Sequence, residues 1–190
     1  MELEPRQKAS FIHEVTESCK LRSGRRYEIV LSLAEEYPLD IGIASPLLLN
    51  IVELKPQQAM FLPAGELHAY LHGTGIELMA NSDNVLRGGL TSKHVDIPEL
   101  LEVLTFSTEP PEILEPQPVS QSEETYLLPI DEFQLTKVSV QEDKEYRQTD
   151  QQSIEIYFAL HGQRAITEKA DGNKVGFSKG DSFVVYASTH

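Results

Sequence analysis

The chain has 190 residues, 40% of them hydrophobic and 24% charged, a balance that suits a soluble globular protein and argues against wholesale disorder. Its 30 acidic against 16 basic side chains give a formal charge of −14, which repels a phosphate backbone and excludes nucleic acid as a natural partner. No apolar run reaches the roughly 20 residues of a membrane helix, the acidic N-terminus has no secretory core, and the lone Cys19 forms no intrachain disulfide, so a cytoplasmic location is expected.

Residues 1–36 place Ala9, Ile12, Val15 and Cys19, then Tyr27, Val30, Leu31 and Ala34, at helical spacings. Two helices are expected, broken at Ser23-Gly24. From Tyr37 the texture changes to short apolar runs, LLLNIVEL, AMFLP, HAYL and IELMA, punctuated by proline and glycine. Such runs predict strands with the rhythm of a sandwich or barrel. Residues 98–106 read as one short helix entered through Pro98. The stretch PPEILEPQPVSQSEE, with four prolines, reads as an extended linker over 108–122. Beyond it FQLTKVSV, IEIYFAL, the segment from Ala165 to Glu168, and SFVVYA predict a second all-β unit, with a turn at Asp171-Gly172-Asn173. The fold class expected is therefore mainly β, two strand units behind a short helical segment.

The most informative stretch is Pro63-Ala64-Gly65-Glu66-Leu67-His68-Ala69-Tyr70, a tight turn delivering a histidine onto the next strand. It resembles the cupin motif P-x-G-x-x-H, whose histidine binds a metal inside the barrel. Gln57 stands where the general cupin pattern has glycine. YPLDIG, SPLLLN, FLPAGELHAYL and NSDNVLRGGLTSKHVDIPELL, in that order, resemble the signature region of type I mannose-6-phosphate isomerases.

That resemblance implies zinc, with His68 as one ligand and a Gln-x-His pair and a glutamate supplied from the early part of a longer chain. No Gln-x-His occurs here. It also implies Tyr70 and Asp83 at the substrate, a sugar phosphate, with Glu77 moving a proton and Arg87 stabilising an enediolate. The residue types suit that chemistry. A carbonyl migrating between adjacent carbons requires a carbon-bound proton to be removed, and negative charge then gathers on oxygen where a guanidinium can meet it. Read as local structure alone, Gly88-Gly89 is a turn needing positive φ, Asp83 caps a turn, and Glu77 is a solvated strand residue.

By the same resemblance, residues 1–36 close a helical domain and 37–107 complete a catalytic jelly roll. After the linker over 108–122, residues 123–190 belong to an incomplete C-terminal jelly roll. One imidazole does not hold zinc tightly, because catalytic sites take about three protein ligands. The chain is accordingly expected to be inactive alone, and to need either the missing N-terminal half or self-association. The competing expectation is a noncatalytic cupin module that binds a sugar or a protein.

Overall fold

The computed structural model describes residues 3–82, 84–142, 144–147, 153–167 and 172–187. The chain divides into two compact units, Met1–Ser139 and Val140–His190.

The first unit begins with the expected helical pair, α1 (Pro5–Lys20) and α2 (Arg25–Glu36). Pro5 opens α1, where its missing N–H costs nothing, and the backbone N–H of Glu4 donates to Gln7 Oε1 at 3.0 Å. Gly24, at φ +128°, makes the break before α2, a conformation that favours glycine. Ile12 and Cys19 lie two turns apart on one face of α1 and are buried, as is Val30 on α2. A 3₁₀ turn, Ile41–Ala44, closes this core with Ile43, which is 0% exposed.

The LLLNIVEL run departs from the strand expectation. Its first residues join Ser45 and Pro46 in a short helix, α3 (Ser45–Leu48), because proline in the first turn presets a helical φ. Farther on, β1 (Ala59–Met60) pairs antiparallel with β2 (Ile113–Leu114), in register Ala59 with Leu114 and Met60 with Ile113. The HAYL and IELMA runs form no ladder. A strand needs a neighbour to accept its N–H groups, and none lies alongside these runs among the described residues.

Helix α4 (Ile97–Val103) starts at Asp96, whose side chain accepts the Glu99 N–H at 3.1 Å. The proline-rich segment then carries β2 and β3 (Gln117–Pro118), and β3 joins β4 (Glu123–Thr125) and β5 (Thr136–Val138) in an antiparallel sheet, order β3-β4-β5. Tyr126, buried beside that sheet, donates its hydroxyl to the Gln57 carbonyl at 2.7 Å, and Lys137 Nζ reaches Gln57 Oε1 at 2.6 Å. Gln57, held by these two bonds, takes φ +73°, the left-handed conformation that favours glycine.

In the second unit β6 (Glu155–Phe158) pairs with β9 (Ser182–Val185), and between them in sequence β7 (Gln163–Thr167) pairs with β8 (Lys174–Ser178). Tyr157 and Phe183, register partners, stack at 4.9 Å between ring centroids, and Phe177 lies 5.1 Å from Phe183. Asp181 ties the turn after β8 by accepting the Ser178 N–H at 2.8 Å. Of the Asp171-Gly172-Asn173 turn signal, Asp171 lies outside the described residues.

The molecule is thus strand-bearing but less β-rich than the mainly β expectation. Among the described residues helices hold more of the chain than ladders do, because several apolar runs lack the facing strands that would turn them into sheet.

Candidate active site

The site is built on the turn Pro63–Glu66. Glu66 N–H donates to the Pro63 carbonyl at 3.3 Å, and Gly65 takes φ +85°, the third-residue geometry of a type II turn. A side chain at Gly65 is also barred by space, since a Cβ there would sit 2.6 Å from the Val103 carbonyl oxygen. Just beyond α4, Thr105 pins this turn: its N–H donates to Gly65 O at 3.1 Å and its hydroxyl to Glu66 Oε1 at 2.7 Å.

His68 follows, exposed, with Nδ1 at 3.0 Å from the Glu66 carbonyl oxygen. A carbonyl only accepts, so Nδ1 donates in this bond, which in a neutral imidazole puts the lone pair on Nε2, the arrangement of a metal-binding imidazole. The Tyr70 ring lies edge-on at 6.0 Å from the His68 ring. Its hydroxyl donates to Glu77 Oε1 at 2.7 Å. Loss of hydration, and then the Glu77 carboxylate, push the Tyr70 phenol up to about 12. With the side chain 74% exposed, the carboxylate contact is the part of that shift which the geometry carries.

Three of the expected residues, His68, Tyr70 and Glu77, are therefore neighbours. Arg87 is exposed and reaches the group through the backbone: the side chain of Leu67, next to His68, packs against Gly88, next to Arg87, where a Cβ would overlap it. Among the described residues no hydrogen bond or ion pair joins Arg87 to the other three. Asp83 lies outside the described residues.

Sequence reasoning did not single out Asp40. Its Oδ1 accepts the Gly42 N–H at 2.7 Å and its Oδ2 accepts the Leu90 N–H at 2.7 Å, so one carboxylate joins the 3₁₀ turn to the segment that follows Arg87. The available signal was a capping-type residue, aspartate ahead of Ile41-Gly42, inside the quoted YPLDIG motif.

As a metal centre the site is partial. His68 offers a ligand-ready nitrogen, but no group of three or more His, Cys, Asp or Glu side chains able to hold a metal exists among the described residues. Among the described residues His68 fits one position of a zinc site, and the remaining ligands would have to come from elsewhere.

No family model matches the chain. Individual proteins do. The mannose-6-phosphate isomerase of Escherichia coli strain K12 is 44% identical over 146 residues, 76% of this chain and 37% of that protein. Mannose-6-phosphate isomerase 2 of Arabidopsis thaliana is 36% identical over 160 residues, 84% of this chain and 36% of that protein. Among solved structures, the Salmonella typhimurium mannose 6-phosphate isomerase bound to fructose 6-phosphate and zinc superposes with a TM-score of 0.86 at 32% identity, covering 99% of this chain and 47% of that one.

The chain is homologous to the C-terminal half of mannose-6-phosphate isomerases. It spans less than half the length of these isomerases. The apo form of the Salmonella isomerase is equally similar in fold, at a TM-score of 0.84 and 33% identity. The turn, the histidine and the tyrosine–glutamate pair thus sit within the region shared with the isomerases, of cupin fold.

Proposed function

We propose that this chain supplies one wall of the active site of a mannose-6-phosphate isomerase, the enzyme that interconverts mannose 6-phosphate and fructose 6-phosphate, and that it is inactive without the other wall. The observation that carries the reading is the Tyr70–Glu77 hydrogen bond beside a histidine whose Nδ1 is held by a backbone carbonyl. Homology to the isomerases supports the choice of substrate.

In this reading the Glu77 carboxylate, held by the Tyr70 hydroxyl, takes the proton from C2 of the open-chain aldose as the C1 carbonyl becomes an enediolate oxygen; the O2 hydroxyl proton then passes to O1 as the C2 carbonyl forms, and Glu77 returns its proton to C1 to complete the ketose. The Arg87 guanidinium donates to the enediolate oxygens, whose charge exists only during the reaction. Tyr70 and Asp83 line the sugar. Zinc, with His68 as one ligand and the rest upstream, would supply Lewis-acid polarisation of the substrate oxygens.

The domain reading belongs to the same proposal: 1–36 ends a helical domain, 37–107 is the second half of the catalytic jelly roll, 108–122 links, and 123–190 begins a C-terminal jelly roll. So does a cytoplasmic setting, which the lone cysteine and the metabolic role of the homologues support.

The test is an isomerase assay of the purified chain with zinc, alone and with the N-terminal portion of the Escherichia coli isomerase supplied as a second polypeptide. Turnover is expected only with both. Robust turnover by the chain alone overturns the claim of inactivity. Sugar phosphate binding by calorimetry without metal or second polypeptide would favour the noncatalytic module instead.

A further inference from the structure

We infer that Asp40 is a positioning residue for Arg87, an inference that rests on the isomerase function proposed above. The Asp40 carboxylate spans two loops far apart in sequence. Oδ1 takes the Gly42 N–H and Oδ2 takes the Leu90 N–H, each at 2.7 Å. Charge-assisted bonds to backbone N–H groups are roughly twice as strong as neutral ones and are directional, so they fix a loop rather than merely attract it.

The loops are shaped for that bridge. Gly89 takes φ +130° and Leu90 takes φ +52°, which turns the Leu90 N–H toward the carboxylate. A Cβ on Gly42 would lie 2.9 Å from Asp40 Oδ1 and 3.3 Å from the Leu90 nitrogen, so a side chain there would push the carboxylate and the Leu90 backbone from their present places. Asp40 is itself anchored: its carbonyl accepts the Ile43 N–H at 3.3 Å, and Ile43 is 0% exposed in the helical core.

The backbone after Arg87 is consequently held twice within three residues, at Gly88 by Leu67 and at Leu90 by Asp40. Leu67 leads directly into His68, so the two holds together set the guanidinium in register with the imidazole. The reaction feels that register because a displacement of about 1 Å in a catalytic group can cost on the order of a hundredfold in rate.

The test uses Asp40→Asn, which keeps the shape and gives up the charge, and Asp40→Glu, which keeps the charge and moves the oxygens. In ¹⁵N-labelled 190-residue chain, both substitutions are expected to shift the Leu90 amide, speed its exchange about tenfold and weaken the proton contact between the Leu67 methyls and Gly88, while Ile12 and Val30 signals stay put. In the complex with the Escherichia coli N-terminal portion, kcat should fall about tenfold with KM within twofold, the pattern of a lost transition-state interaction. An unchanged Leu67–Gly88 contact in both variants overturns the inference, as does unchanged kcat, or a kcat loss that merely follows the unfolded fraction. Absence of turnover in the unsubstituted complex sinks the isomerase reading, and the spectra of the chain still decide the clamp.

Discussion

A phenol that donates to a carboxylate resists losing its proton, and Tyr70 shows it. Loss of hydration and the Glu77 contact push its ionisation up to about 12, from about 10 for an ordinary tyrosine. The folded state therefore holds the proton more tightly than the unfolded one. Whatever the pair adds to stability is complete below about pH 10 and is lost as the pH rises through about 12. Across neutral pH Tyr70 keeps its proton and donates it to the Glu77 carboxylate. In an alkaline titration followed by phenolate absorbance, Tyr70→Phe should remove the step near 12, and Glu77→Gln should move that step toward the ordinary value. A step that survives Tyr70→Phe unchanged would mean the pair does not form in solution. His68 and this pair were legible only through the resemblance of their surrounding motifs to the isomerases, because residue type and spacing alone fit ordinary surface side chains as well. Asp40 was not, because its role is to bond a backbone N–H fifty residues away, and no local pattern records that.

At the scale of elements, legibility followed the range of the interactions that build each one. Helices α1, α2 and α4 rest on i to i+4 bonds and local caps, such as Gln7 at the start of α1 and Asp96 at the start of α4, and their spacing was visible in the sequence. The runs HAYL and IELMA have strand composition, but a strand is completed by a partner that the sequence of the run does not specify. Pro46 turns the start of LLLNIVEL into helix for a local reason, the preset φ of proline in a first helical turn. The helical pair and its 3₁₀ turn form a true core, so its energetics can be forecast. Ile43→Ala removes a fully buried side chain from the junction of α1, α2 and the turn, and should cost about 2–5 kcal/mol. Urea unfolding followed by helical circular dichroism measures it. A loss below about 0.5 kcal/mol, the range of an ordinary surface change, would show that this junction is not packed in solution.

The whole molecule exposes far more surface than its mass calls for. Its accessible area is 15336 Å², whereas a folded chain of 21.3 kDa exposes about 9,000 Å², and two independent units of these sizes about 11,000 Å². Part of the excess falls in the segment around the candidate site, where Tyr70 is 74% exposed, Met79 59%, Val85 51% and Ile76 50%. Side chains of this kind fill a core when a second layer faces them, and exposed together they attract a partner. The isomerases that the chain matches carry more than as much chain again, which makes an N-terminal half the natural cover. Mixing with the N-terminal portion of the Escherichia coli isomerase should therefore give a stoichiometric complex in sedimentation and slow amide exchange over residues 67–87 by at least about tenfold, because apolar burial there would finally exclude water. Without that portion the chain should associate with itself as its concentration rises, using the same surface. The two processes must then compete, so the added portion should dissolve the self-associated species. If the chain instead stays monomeric at high concentration and leaves residues 67–87 unprotected in the mixture, the apolar wall is not an interface, and the split-site function loses its physical basis.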